Sequence, residues 1–329
     1  MLRLRDSRSL LLTGLADVWS GARDGARTRP EATGLALMVF SAACFAAMAA
    51  FAKLLLPDTP TQAVVFSRGT LMALIFVWLA RREGVPLLGD RPALLFLRGL
   101  LGYIALSCYF YSVQHLPLGD AVLLQYSHPV FVAVFAPLLI GERGSRTDLG
   151  LILAALVGVG LIVSPEGSVR PEAVIGVFGS MCSGLAYMTV RQLAKSEHAL
   201  RILVWFPLAT IPPAFVATLL AGRAAIPRNL SEVAGHLLVT TAGLLGQVAL
   251  TAGLSRASAA RATAITLTGP IFGLAFGYWM FGAVPGLSSI VGTAIVLGAL
   301  ALLGRGVRAR ATDPAAAPAT GEPESPSSS

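Results

Sequence analysis

Charged residues are scarce in this chain of 329 residues, since Asp, Glu, Lys and Arg make up only 13% of it. Ordinary soluble domains hold about 25%. Apolar residues make up 55%, and this balance argues against a soluble domain and indicates a membrane protein. The net charge is +8, and the basic residues that produce it lie between apolar runs rather than on one polar face. Anionic membrane lipids are therefore the expected counter-charge, and no nucleic acid partner is predicted.

Cysteine and histidine are also few, with three and four residues, and none has the spacing of a metal or redox motif. Cys44, Cys108 and Cys182 each fall within an apolar run, where a small packing residue is expected. The sequence lacks a Walker motif, a nucleotide fingerprint, HExxH and a nucleophile elbow. We therefore predict that the protein is not an enzyme and needs no cofactor.

What the chain does have is long apolar runs, and a helix that crosses a bilayer needs about 20 mostly apolar residues. We count ten such runs, which predict an all-α integral membrane protein. They are residues 33–54, 61–80, 93–113, 118–140, 148–164, 172–192, 199–221, 233–253, 262–282 and 286–304. Residues 1–32 are predicted to be an N-terminal tail. Residues 305–329, rich in Ala, Pro, Glu and Ser, are predicted to be disordered.

The second half of the chain repeats the first. At an offset of 141 residues Pro129 aligns with Pro270, and further upstream, at an offset of 138, Cys44 aligns with Cys182. Each half has five crossings, an odd number, so the second half must enter the membrane from the other side. We therefore predict two inverted five-helix repeats, an architecture that allows alternating access. The predicted repeats are residues 33–164 and 172–304.

The distribution of Lys and Arg predicts the orientation. With the N-terminus in the cytoplasm, and with Arg201 counted at the cytoplasmic end of its run, 18 of these residues fall on the cytoplasmic side and three on the opposite side. By the positive-inside rule both termini are predicted to be cytoplasmic. The expected location is the inner or plasma membrane, which the chain crosses many times.

Several motifs resemble one known family. The third run is rich in aromatic residues, Leu116-Pro117-Leu118 connects it to the fourth, and Gly141-Glu142-Arg143 closes the fourth. This pattern resembles the ten-helix EamA-type transporters of the drug/metabolite transporter (DMT) superfamily, over about residues 34–304. The resemblance implies a secondary transporter of amino acids or related metabolites, with export as the leading direction.

Two prolines mark the first candidate site residues. Pro129 and Pro270 lie within apolar runs, and each leaves unbonded the carbonyl four residues earlier, on Gln125 and Thr266. A helix break at membrane depth is best tolerated where it lines a cavity. We predict that Gln125 and Thr266 line the substrate site beside the two proline kinks. The alternative is an ordinary packed kink.

Ionisable residues inside the runs are further candidates for substrate binding. His128 is either a proton switch or a neutral hydrogen-bonded residue. Arg68 lies about seven residues into the second run, where it either binds substrate or pairs structurally. Arg98 either binds substrate or extends to the membrane interface. The candidate set also includes Tyr103 and Gln247.

No Asp or Glu lies near the middle of any run, and this absence favours zwitterionic, anionic or neutral substrates over cations. The leading function is a secondary active transporter that exports an amino acid or related metabolite. The alternatives are an importer of a nucleoside-like or vitamin compound, a non-transporting membrane protein or a membrane enzyme. The expected partners are the small-molecule substrate, membrane lipids and protons as a coupling ion, and a homodimer is a possible assembly.

Overall fold

A computed structural model of the chain describes residues 30–140, 146–163, 169–193, 196–222, 227–254 and 268–311. The regular structure that it describes is α-helical. The helices are α1 (Pro30–Leu55), α2 (Thr61–Arg82), α3 (Pro92–His115), α4 (Leu118–Gln125), α5 (His128–Ile140), α6 (Arg146–Val163), α7 (Pro171–Leu193), α8 (Ala199–Leu220), α9 (Leu230–Leu254), α10 (Gly269–Phe281) and α11 (Leu287–Ala311).

Six helices in the described residues, α1, α2, α3, α7, α8 and α9, are long and apolar enough to cross a membrane. Shorter apolar stretches lie within α6 and α11. When α4 and α5 are taken as two parts of the fourth apolar run, the helices correspond to the ten predicted runs. The prediction of an all-helical, multi-pass membrane protein is confirmed.

The fourth run is divided into two helices beside Pro129, where we predicted a kink. Helix α4 ends at Gln125 and α5 begins at His128. Pro129 cannot donate to the Gln125 carbonyl, and it disfavours the helical conformation for the residue before it. Proline alone does not account for the break, however, because α8 contains three prolines and continues through them.

Two boundaries also differ from the expected ones. Helix α1 begins at Pro30, and α11 continues to Ala311, so the first residues of the tail predicted from 305 are helical. The remainder of both tails, residues 1–29 and 312–329, lies outside the described residues, as do Glu142 and Thr266.

The internal repeat appears in the helix bounds and in the packing. Both ends of α2 and α8 are separated by 138 residues, and both ends of α5 and α10 by 141. Helix α1 packs against α9, and α3 packs against α7. Because α7 is the repeat equivalent of α1 and α9 is that of α3, the two contacts are equivalent. Helix α2 packs on its own equivalent α8, and α6 on α11. The largest buried apolar cluster contains side chains from both halves, so the duplicated halves share one core.

Helices α2 and α8 run antiparallel. Phe66, near the start of α2, packs on Phe215 near the end of α8, with ring centroids 5.4 Å apart. At the opposite end Arg201, in the first turn of α8, donates through Nε to the carbonyl of Pro86, just after α2, at 2.9 Å. Two helices that are equivalent in the repeat therefore point in opposite directions.

Helices α4 and α10 approach each other closely through glycine. A Cβ atom built on Gly273 would lie 2.6 Å from the Cβ of Val122, and one on Gly269 would overlap the ring of Tyr126. Small residues let two helix backbones come together in this way. The segments beside the two predicted kinks are therefore in direct contact.

Candidate functional site

Arg68 and Arg98 share one aromatic ring. The guanidinium carbon of Arg68 lies 5.8 Å from the ring centroid of Phe206, and that of Arg98 lies 4.4 Å from it. Both distances fall in the range of cation–π contacts. The fold thus brings two predicted site residues, from α2 and α3, onto one side chain of α8. We call these three residues the arginine group.

Two glycines provide the space for this arrangement. A Cβ on Gly243 of α9 would lie 2.8 Å from Arg68 Nε, and a Cβ on Gly102 of α3 would lie 2.7 Å from the Phe206 ring. The two contacts are equivalent, because Gly102 aligns with Gly243 at the offset of 141 and Arg68 with Phe206 at 138. Arg68 therefore stacks on the residue that occupies its own position in the other half.

Three nitrogen atoms of the two guanidinium groups are buried without a hydrogen-bond partner among the described residues. Arg68 is only 3% exposed, and Arg68 Nε together with Arg98 Nε and Nη1 are buried atoms that lack a hydrogen bond there. The two cations also repel each other. Burying an unpaired ion costs several kcal/mol, whereas a cation–π contact contributes about 0.5–2 kcal/mol. The burial argues against the interface interpretation of Arg98 and against structural pairing of Arg68.

The freed carbonyl of Gln125 is occupied. His128 Nδ1 donates to it at 2.9 Å, and Ser180 Oγ of α7 lies 3.5 Å from the same oxygen. The Gln125 side chain donates to Ser183 Oγ at 2.8 Å. Because a carbonyl only accepts, Nδ1 carries the proton in this bond. The break between α4 and α5 persists because these side chains replace the missing helical bond.

Tyr187 connects His128 to the arginine group. The imidazole of His128 stacks on the Tyr187 ring, with centroids 4.6 Å apart and an interplanar angle of 15°. Tyr187 also lies near Arg98. Tyr187 is 40% exposed although its neighbour His128 is buried. His128, Tyr187 and the arginine group therefore form one continuous polar and aromatic region.

The remaining predicted residues lie elsewhere or differ in role. Tyr103 is half-buried in α3 and packs against the largest apolar cluster, and Gln247 is half-buried in α9. Pro270 lies in the first turn of α10, where a missing N–H breaks no helical bond. In the described residues it therefore lies at the start of a helix, and the residues that would form the other side of the predicted kink lie outside them. Thr266 is not among the described residues.

Another cation, Lys53, has a structural role. Its Nζ donates to the carbonyls of Val113 and Leu116, at 2.8 and 2.7 Å, where α3 ends. A basic side chain at a helix C-terminus satisfies carbonyls that have no helical partner. Lys53 thus ties α1 to the C-terminal end of α3.

Sequence reasoning did not identify Phe206, Ser180 or Ser183. The repeat alignment did contain a signal for Phe206, because the offset of 138, extended through the second run, aligns it with Arg68. The two serines are three residues apart on one face of α7. No comparable signal assigned them to the helix break.

Comparison with known proteins identifies the family. The profile of the EamA-like transporter family matches residues 32–164 and 171–305. The pseudopaline exporter CntI of Pseudomonas aeruginosa is 30% identical over 275 residues, which cover 83% of this chain and 96% of that protein. An uncharacterized transporter of Helicobacter pylori is 26% identical and covers 80% of this chain and 92% of its own length.

A more distant relative is solute carrier family 35 member G1 of Mus musculus, 25% identical over 79% of this chain and 77% of its own. A protein of known crystal structure aligns with a TM-score of 0.57 and 20% identity, over 86% of this chain and 99% of that one. That likeness supports the fold alone. The chain belongs to the EamA-like transporter family of the DMT superfamily, which is a family of transporters and not of enzymes.

Proposed function

We propose that this protein is a secondary active transporter that exports an amino acid or a related zwitterionic or anionic metabolite. The observation that carries the proposal is the arginine group, in which two buried cations have no counter-charge among the described residues. A substrate carboxylate would supply that charge. Export as the direction is supported by the relative from Pseudomonas aeruginosa that is named as an exporter.

Alternating access between two inverted repeats, residues 33–164 and 172–304, is the proposed mechanism. The antiparallel pair α2 and α8 and the matching pairs α1–α9 and α3–α7 support inversion. Such halves can exchange conformations and expose one central site to either side. The bias of Lys and Arg supports a location in the inner or plasma membrane with both termini in the cytoplasm.

The proposed site combines the arginine group with the predicted polar residues. Arg68 and Arg98 bind the anionic part of the substrate, while Tyr103, Gln125, Gln247 and Thr266 supply hydrogen bonds. His128 is the proposed proton-coupling residue. A proton added at Nε2 would charge the ring and change the energy of its stack on Tyr187.

A second candidate is uptake of a nucleoside-like or vitamin compound. The observation that favours it is the parallel stack of His128 and Tyr187, because two adjacent aromatic rings form a surface on which a planar ring can pack. In that case Arg68 would bind an acidic or carbonyl group on such a ring.

Metabolite export can be tested in cells with and without the gene. We expect at least one amino acid-like or acidic metabolite to accumulate in the medium only when the gene is expressed. Arg68→Ala should abolish this accumulation, whereas Arg81→Ala, which removes an exposed arginine from the same helix, should not. Gene-dependent accumulation inside the cell would instead support uptake, and equal efflux from Arg68→Ala cells would remove Arg68 from the site.

A further inference from the structure

We propose that the substrate carries two carboxylates, one bound by Arg68 and the other by Arg98. The inference rests on the proposed transport function and narrows the class of its substrate. Two guanidinium groups, each with one positive charge, lie against the one ring of Phe206. A single carboxylate would leave one net positive charge buried, and two would leave none.

The geometry leaves hydrogen-bond donors available for two acids. The Nε atoms of both arginines and Nη1 of Arg98 have no partner among the described residues. These N–H groups lie at the edge of each guanidinium plane, where a carboxylate can bind them in pairs. The Nε edge of Arg68 faces Gly243 of α9, so a carboxylate would reach it when α9 moves away. Because the two side chains come from different helices, α2 and α3, each arginine can then bind a separate carboxylate.

The part of the chain that the structure describes shows no ion pair between an acid and either of these cations. Within the described residues Asp120 pairs with Arg170 and Glu197 with Arg201. The undescribed stretch 255–267 contains no Asp or Glu. The remaining acids of the sequence lie in the first turns of helices, in the connections between helices or in the tails. A ligand is therefore the proposed source of the counter-charge.

A third unpartnered group lies on the same side of Arg68. Thr240 Oγ1 is buried without a hydrogen bond among the described residues, and Thr240 lies one turn before Gly243, the residue of α9 that Arg68 contacts. Residues three apart share one face of a helix. Thr240 can therefore donate a hydrogen bond to the carboxylate that Arg68 binds, or to a hydroxyl beside it.

The test uses the purified full-length protein in detergent and in proteoliposomes. The probes are the dicarboxylates malonate, succinate, glutarate and adipate, matched monocarboxylates of equal chain length, and chloride and phosphate. We expect one or two dicarboxylates to raise the melting temperature and to be transported. Each matched monocarboxylate should bind about 10-fold or more weakly, because hydrogen bonds to charged groups are strong.

Single substitutions separate the two arginines. Arg68→Gln and Arg98→Gln should each weaken dicarboxylate binding by about 10- to 100-fold and abolish the preference over the matched monocarboxylate. Arg81→Gln, an exposed arginine of α2, should change neither. Both site variants should fold, because each removes a buried, repelling cation, and the melting temperature without probe checks this. Arg68→Lys and Arg98→Lys keep the charge and should retain part of the preference.

Three results would overturn the dicarboxylate assignment while leaving transport intact. They are gene-dependent efflux of a compound with fewer than two acidic groups, equal binding of monocarboxylate and dicarboxylate, and loss of binding from only one of the two arginine variants. Binding of chloride or phosphate as tight as that of any dicarboxylate would assign the group to a small inorganic anion. If no probe binds and no metabolite depends on the gene for export, both this inference and the proposed function fail.

Discussion

Equivalent connections between helices are held by different hydrogen bonds in the two halves of the molecule. The connection from α2 to α3 is bonded to the second half, since Trp205 Nε1 donates to the Leu87 carbonyl at 2.8 Å and Arg201 Nε to that of Pro86. The Arg91 N–H donates to Glu197 Oε1 at 2.8 Å, and Glu197 also pairs with Arg201. We call residues 86–91 together with Glu197, Arg201 and Trp205 the strap.

The equivalent connection, from α8 to α9, is closed locally in the part that the structure describes. Asn229 Oδ1 accepts from the Glu232 N–H at 2.8 Å, and Glu232 Oε2 accepts from the Arg228 N–H at 2.8 Å. This is the reciprocal capping of a helix start. The start of α9 thus satisfies its own N–H groups, whereas α3 obtains an acceptor from the other half.

At the offset of 138 the strap residues Glu197, Arg201 and Trp205 correspond to Thr59, Ala63 and Ser67. Those side chains cannot form the same ion pair, and Thr59 Oγ1 is buried without a partner among the described residues. The two ends of the antiparallel α2–α8 pair are therefore fastened unequally. An alternating-access cycle would have to break the strap at one face and would meet no equivalent bonds at the other face among the residues that the structure describes there. Under the proposed topology the strap lies on the cytoplasmic face.

Removing Glu197 should have the largest effect on this difference. Glu197→Ala leaves Arg201, whose side chain is 11% exposed, without its acid and leaves the Arg91 N–H without its acceptor. Losing one partner of a buried pair costs about 3–5 kcal/mol. We expect a lower melting temperature and faster thiol labelling of Leu87→Cys, in a background without Cys44, Cys108 and Cys182.

The matched control for that experiment is Glu232→Ala, which removes a glutamate from the equivalent connection. Its carboxylate caps only its own helix, and losing such a cap costs about 0.5–2 kcal/mol. Labelling at position 87 should stay at the rate of the parent protein. Equal labelling in the two variants would mean that the strap does not hold the halves together.

Acid should weaken the strap less than deletion does. Burial by itself raises the pKa of Glu197, but hydrogen bonds from Arg201 and the Arg91 N–H lower the pKa below its ordinary value. A lowered folded pKa stabilises the protein above the unfolded pKa of about 4.3, and this stability is lost as the pH falls through the folded value. Because acid also removes the reactive thiolate, the labelling rate of Leu87→Cys is divided by the rate measured when Glu197→Gln is also present. This ratio should rise with acidification below about pH 4, and a ratio that does not change with pH would show that another group causes the effect.

Gly89 offers a smaller change at the same place. A Cβ at this position would lie 2.6 Å from both carboxylate oxygens of Glu197, so Gly89→Ala must displace the acid. Overpacking of this kind costs about 1–3 kcal/mol. In a double-mutant cycle Gly89→Ala should cost much less when Glu197→Ala is already present. Additive losses in melting experiments would show that Gly89 acts through the backbone and not through the strap.

The same comparison shows what the sequence could predict. The ten runs, the repeat and the depth of Arg68 follow from local composition and spacing. The strap joins Glu197 to Arg91, and the arginine group joins α2, α3 and α8, so both depend on which helices pack together. The break at Gln125 followed from Pro129, but its stabilisation by Ser180 and Ser183 required the position of α7. Sequence reasoning therefore gave the elements and the candidate cations, and packing determined their partners.

The smallest expected effect comes from Trp205, whose indole N–H donates the bond that ties Leu87 to α8. Trp205→Phe keeps an aromatic ring against the apolar cluster of Leu95, Leu193 and Ile202 but removes that donor. The loss of one neutral hydrogen bond that leaves a carbonyl unpaired costs about 1–3 kcal/mol when the site is buried, and less where water can replace it. Residues 86–91 lie at the end of a membrane helix and are partly exposed, so we expect the lower end of that range.

Labelling of Leu87→Cys should rise slightly, and by less than in Glu197→Ala. Trp78→Phe, at an exposed tryptophan of α2, is the control and should leave labelling unchanged. If Trp205→Phe opened the connection as far as Glu197→Ala does, the indole and not the ion pair would be the main bond between the halves at this face.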